Sequence, residues 1–173
     1  RGPLKHGVIQ QFISDCTWND VDFLVVDCPP GTGDEPLSIA RIIPDAKAVI
    51  VTTPQEVALA DVRKSINFCK KVQLDIAGLV ENMAGLYCPH CQGFIPIFST
   101  GGGRKTAELM RIEFLGSLPF DPAVVAGGDQ GKPVMEGASG TSPFIKAVEE
   151  VVDRLVARFE PVEESRGESR AVH

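Results

Sequence analysis

Residues 22–34, DFLVVDCPPGTGD, constrain the fold more than any other stretch of the chain. Phe23, Leu24, Val25 and Val26 form a short unbroken apolar run rich in branched side chains, the pattern of a central parallel strand buried on both faces. Asp27 then falls at the strand's carboxyl end. In open α/β sheets the ligand crevice lies outside those ends, so a carboxylate there is placed to hold a hydrated Mg²⁺. Pro29, Pro30, Gly31 and Gly33 follow, a backbone able to turn its N–H groups toward a phosphate. The plainer reading is a strand that ends in a turn, with Asp27 as its cap.

The remaining elements fit around that strand. Leu4, Val8, Ile9, Phe12 and Ile13 have helical spacing over Leu4 to Ser14, and residues 35–43 predict a helix stopped by Pro44. Ala46 to Thr52 predicts a second strand. Thr53-Pro54-Gln55-Glu56 carries a helix-start signature with Thr53 as cap, and Leu59, Val62, Ile66 and Cys69 line one face of a helix running to Val72. Asp75 to Glu81 predicts a third strand that delivers Asn82 to the carboxyl end of the sheet. Residues 83–100 break the alternation. A helix over 104–111, a fourth strand over 114–118, at most a short helix over 121–126 and a final helix capped by Ser142-Pro143 complete the chain. The order is that of a parallel α/β domain over residues 1–159, with a charged disordered tail expected over 160–173.

The chain has 173 residues, 43% of them hydrophobic, enough for one domain with a sizeable core. A net charge of −6 and the lack of a basic run argue against nucleic-acid binding. No apolar stretch is long enough to span a bilayer and the N-terminus lacks a signal-peptide core, so a soluble cytoplasmic protein without membrane contact is expected. Five cysteines, mostly isolated, fit reduced thiols better than a disulfide framework. Cys16 and Cys28 read as structural and Cys69 as a core thiol.

Two stretches invite a chemical reading. Residues 101–106, GGGRKT, suggest a phosphate loop, but the Walker A spacing places Ser99 and Arg104 at its two glycine positions. A glycine turn ahead of a helix, whose N-terminus can attract an anion, fits better. Cys88-Pro89-His90-Cys91 is the second stretch, and its spacing lets two thiolates share one metal or cluster. Three readings stand: a metal or iron–sulfur site completed by another chain, a redox dithiol, or a zinc knuckle with a further ligand. His90 cannot easily bend back to the same metal and is expected to face solvent.

Taken together, DFLVVDCPPGTGD, VTTPQEVALADVRK, GLVENMAGLYCPHC, FSTGGG and LPFDPAVVAGGDQGKPV resemble, in content and order, the Mrp/ApbC family of iron–sulfur cluster carriers. These are deviant-Walker P-loop ATPases related to MinD and the nitrogenase iron protein. The resemblance implies a three-layer α/β/α fold with a mostly parallel sheet. It implies that Asp27 contacts Mg²⁺ through water, that Pro29, Pro30 and Gly31 sense the γ-phosphate of ATP, that Asn82 recognises adenine, and that Pro119, Phe120 and Asp121 line the base pocket. Cys88 and Cys91 would bind a labile [4Fe–4S] cluster, or zinc in its place, between the subunits of a homodimer, and the cluster would pass to apo iron–sulfur proteins.

The family's Walker A loop and switch I precede everything in this sequence. The chain is therefore expected to be the C-terminal part of such a domain, without the N-terminal P-loop portion, and inactive as an ATPase by itself. The alternatives are a MinD- or ParA-like positioning ATPase with structural zinc or no metal, and a non-catalytic interaction domain.

Overall fold

A computed structural model describes residues 2–88, 90–137 and 142–159; the tail expected over 160–173 lies outside the described residues. Its centre is a parallel sheet of three strands, β1 (Lys47–Thr52), β2 (Asp75–Glu81) and β5 (Phe114–Ser117), in the order β1-β2-β5. Lys47 pairs with Asp75 at one end of the β1–β2 ladder and Thr52 with Glu81 at the other. All three carboxyl ends therefore reach the same edge.

Helices α3 (Glu56–Lys71) and α4 (Gly102–Met110) cover one face of the sheet, and α7 (Pro143–Val156) covers the other. Alternation along β2 explains the division, since neighbouring residues of a strand point to opposite faces. Leu79 packs with Val62, Ile66, Cys69 and Ala107. Val80 packs with Leu115 and Val151 on the other side. Cys69 is the core thiol that its helical spacing suggested. Arg154 ties α7 down by donating to the Leu115 carbonyl at 2.8 Å.

The first apolar run departs from expectation. Phe23 to Val26 form no strand; all four side chains are exposed, Val25 to 90%. Apolar content makes a segment fit for a sheet, but a strand exists only where its backbone groups meet a partner. β1 has β2 on one side and no strand on its other side among the described residues. Phe23 meets the ring of Phe159 edge-on at 5.7 Å, and the Lys47 ammonium lies 5.1 Å from the same ring. The run thus stays near the start of β1 without pairing to it. Ahead of it, α1 (Gly2–Ser14) packs on α2 (Asp34–Ile42), with Lys5 and Glu35 paired between them.

Smaller corrections have local causes. Helix α3 begins after Gln55, not after Thr53, because Pro54 is buried and its carbonyl accepts the Ser99 hydroxyl at 2.8 Å. Helix α4 begins at Gly102, two residues earlier than expected. The region expected to be mostly irregular holds α5 (Pro122–Gln130) and the short α6 (Val134–Gly137). Asp121 accepts from the Ala123 N–H at 2.9 Å, Pro122 occupies the first turn, and Gly131 ends the helix in the left-handed conformation. That capping sustains α5 through Gly127 and Gly128. The segment that breaks the βαβ alternation contains an antiparallel hairpin of β3 (Leu86–Tyr87) and β4 (Phe94–Ile95).

Candidate functional site

The carboxyl edge of the sheet gathers most of the residues the sequence singled out. The Asn82 N–H donates to the Thr52 carbonyl at 2.7 Å, and the Asn82 Oδ1 accepts from the Met83 N–H at 2.9 Å. These bonds fix the side chain at the end of β2. A cleft of about 610 Å³ opens beside it, with Pro30, Gly31 and Thr32 on one wall and Thr52, Thr53 and Asn82 on another. Gly31 takes φ of +100°, a backbone that glycine adopts without strain. Asp27 and Pro29 lie just upstream, solvent-exposed and outside the cleft lining.

Pro119, Phe120 and Asp121 lie along the segment that follows Asn82. The Ala84 N–H donates to the Leu118 carbonyl at 3.0 Å, and the Phe120 N–H donates to the Gly85 carbonyl at 2.6 Å. Asp121 carries two loads there: Oδ1 caps α5, and Oδ2 accepts the Ser142 hydroxyl at 2.8 Å. Since Ser142 Oγ in turn accepts from the Phe144 N–H, one carboxylate organises the starts of α5 and α7.

Sequence reasoning missed Glu81. The residue is only 2% exposed, and its carboxylate accepts from the Gly103 N–H at 2.6 Å and from the Ser117 hydroxyl at 3.2 Å. A negative group at a helix N-terminus satisfies a free N–H and meets the positive end of the helix dipole. The anion expected at the glycine turn is thus the protein's own. A Cβ at Gly103 would lie 2.9 Å from Glu81, so the glycine serves close approach of helix to strand. The available signal was an acid ending a strand directly before Asn82, the position Asp27 holds in the first run. Asp61, Lys64 and Ser65 on α3 also line the cleft, outside the apolar stripe that drew attention to that helix.

Cys88 and Cys91 sit at the turn of the β3–β4 hairpin, where the Cys88 N–H donates to the Gly93 carbonyl and the Gln92 N–H to the Cys88 carbonyl, both at 2.9 Å. Backbone N–H groups of Cys91 and then His90 hold the Cys88 thiol below its ordinary pKa, because they favour the thiolate. Thiolate is the form that binds metal. His90 itself is exposed. No three His, Cys, Asp or Glu side chains gather as a metal site among the described residues, so the pair offers two soft donors. Cys16 and Cys28 are exposed; partial desolvation and then the neighbouring Asp27 charge push the Cys28 thiol up.

A parallel sheet covered on both faces, with a cleft at its carboxyl edge lined by both apolar and polar residues and a cysteine hairpin growing from the same edge, has the layout of an α/β nucleotide-binding class. Solved structures agree. A nucleotide-binding protein from Archaeoglobus fulgidus in complex with ADP superposes with a TM-score of 0.69 at 34% identity, over 82% of this chain and 58% of that one. The cell division ATPase MinD of Pyrococcus furiosus shares the fold, with a TM-score of 0.62 at 24% identity over 91% of this chain and 59% of that one. Residues 1–156 match the ParA family model described as NUBPL iron-transfer P-loop NTPase, and the chain belongs to that family.

Its relatives include a cytosolic Fe–S cluster assembly factor NUBP2 homolog of Trichoplax adhaerens, 46% identical over 90% of this chain and 60% of that protein. An iron-sulfur cluster carrier protein of Methanocaldococcus jannaschii is 43% identical over 92% of this chain and 56% of that protein. The chain thus spans little more than half the length of these relatives.

Proposed function

We propose that residues 1–159 form the C-terminal part of a single P-loop NTPase domain whose intact form binds ATP with Mg²⁺ and carries a labile [4Fe–4S] cluster. The two thiols of Cys88 and Cys91 bind that cluster together with the same pair from a second subunit, and the intact protein hands it to apo iron–sulfur proteins in the cytosol. The observation that carries this reading is the Cys88/Cys91 hairpin, which starts within a few residues of Asn82 at the cleft edge. Two thiolates per chain make half of a tetrathiolate site, so a second copy completes the donor set. The names of the relatives support the cargo, and their greater length supports a larger domain.

In this reading Asn82 recognises adenine beside Pro119 to Asp121, Pro29 to Gly31 respond to the γ-phosphate, and Asp27 takes the hydrated Mg²⁺. An exposed carboxylate beside a phosphate-binding turn suits that cation, which keeps most of its waters. The 173 residues contain no Walker A motif, so hydrolysis requires a phosphate loop from outside them. The unpaired Phe23–Val26 run and the open edge of β1 are consistent with a sheet that continues there.

Anaerobic reconstitution of the full-length protein with iron and sulfide, read by visible absorption, tests the cargo. Cluster content should fall to background in a Cys88→Ser/Cys91→Ser double variant. Equal content in variant and wild type sinks the carrier role, and zinc without iron or sulfide in the anaerobically purified protein replaces it with a structural metal.

A further inference from the structure

The hairpin that carries the cysteines is too short to hold itself. Its ladder consists of two residue pairs, Leu86 with Ile95 and Tyr87 with Phe94, and an isolated two-stranded ribbon is marginal in water even when longer. Beside it Phe94, 46% exposed on its outer side, lays its ring over Gly85. A Cβ built on Gly85 would lie 2.2 Å from the Phe94 ring and 2.9 Å from the Ile95 carbonyl oxygen, so the ring rests directly on glycine backbone. Tyr87 braces the same ring from its edge, with centroids 5.2 Å apart and planes at 63°.

Gly85 is itself held. Its carbonyl accepts the Phe120 N–H at 2.6 Å, and on either side Ala84 bonds to Leu118 and Leu86 bridges to Phe120. Phe94 thus links the returning strand of the hairpin to backbone that is hydrogen-bonded to the segment leaving β5. Cys88 directly follows Tyr87 and Cys91 lies three residues before Phe94, so both cysteines lie in the turn that this ribbon closes.

We infer that Phe94, seated on Gly85, is the positioning residue of the Cys88/Cys91 pair, holding the two sulfurs as one chelating unit in fixed relation to the Asn82 edge of the sheet. The inference deepens the metal reading of the cysteine pair and rests on it. Loss of the ring leaves β2, β5 and their core contacts intact but lets the hairpin fray.

The test uses full-length apo-protein, wild type and Phe94→Ala, with Phe94→Tyr as the conservative variant. Two readouts avoid the cluster: amide hydrogen exchange at Cys88 and Gln92, and cobalt(II) titration followed by thiolate-to-cobalt charge-transfer absorption. Phe94→Ala should speed exchange at both amides by about tenfold or more while leaving Leu79 and Leu115 unchanged. It should weaken cobalt binding by about tenfold, as loss of an outer-shell support does, and Phe94→Tyr should restore both. Exchange within about twofold of wild type in Phe94→Ala overturns the clamp. Faster exchange with undiminished cobalt affinity overturns the positioning role and leaves a hairpin brace. Because neither readout involves iron or sulfide, failure of cluster reconstitution and failure of the clamp are separately visible.

Discussion

Two stretches of this chain share one design and meet different fates. DFLVVD at 22–27 and DIAGLVE at 75–81 both open on Asp, run through branched apolar residues and end on an acid. The second is β2, paired on both sides and buried from Ala77 to Glu81. The first pairs with nothing among the described residues and exposes Phe23 to Val26. What separates them is the neighbour: β1 and β5 satisfy the backbone of β2, and α3, α4 and α7 cover its faces. A sheet-forming sequence is a capacity, realised only against a partner.

The largest effect expected from this contrast is in packing. Leu79 is fully buried between α3 and α4, and Leu79→Ala should cost about 2 to 5 kcal/mol by removing apolar contact and leaving a cavity. Val25→Ala in the same chain should change stability by less than about 0.5 kcal/mol, because its side chain is already in water. Urea midpoints of the two variants measure the difference. In the proposed full-length domain, Val25→Ala should become destabilising by about 1 kcal/mol or more if the run is then sheeted. Equal costs for Val25→Ala in both contexts would show that the run stays unpaired.

A smaller contrast lies in the two terminal acids. Glu81→Ala leaves the buried Gly103 N–H without its acceptor, while the exposed Ser117 hydroxyl can turn to water, and should destabilise by about 1 to 3 kcal/mol. Asp27→Ala touches no buried group and should shift the urea midpoint negligibly. In the full-length protein the ranking by function reverses, since the proposed Mg²⁺ contact belongs to Asp27: its substitution should lower Mg·ATP hydrolysis. A Glu81→Ala variant as stable as wild type would mean that water reaches the Gly103 N–H.

How far the sequence could be read follows the same division. Positions whose burial is set by their own helix or strand were legible: Leu59, Val62, Ile66 and Cys69 keep helical spacing, and β2 has the limits its apolar run suggested. That Cys88 and Cys91 share one short turn was legible because a two-residue spacer keeps them close. Less legible were features decided by distant chain. Phe23–Val26 depended on a neighbour no local pattern announces, and Glu81 depended on a helix start 22 residues away. The glycines at 101–103 are the turn ahead of a helix that their pattern suggested, with Gly101 left-handed before α4, but the close approach of α4 to β2 at Gly103 had no local sign. Helix α5 was underestimated because Gly127 and Gly128 weigh against a helix in any local count, whereas Asp121 and Pro122 start it firmly.

The smallest effect sharpens the comparison at two thiols, one beside each run. Cys28 follows Asp27, and desolvation with that adjacent charge raises its pKa. Cys88 lies on the hairpin that continues from β2, and backbone N–H groups lower its pKa. Iodoacetamide labelling of the apo-protein across pH, resolved by peptide mass spectrometry, should therefore reach half-maximal rate at lower pH for Cys88 than for Cys28. The signs of the linked stability terms oppose each other. For Cys88 the folded value is depressed, so its contribution is present above the unfolded thiol pKa and is lost as pH falls through the folded value. For Cys28 the folded value is raised, so its contribution is present below the unfolded pKa and is lost as pH rises through the folded value. A Cys88 midpoint at or above that of Cys28 would mean that the hairpin's N–H groups do not stabilise the thiolate in solution.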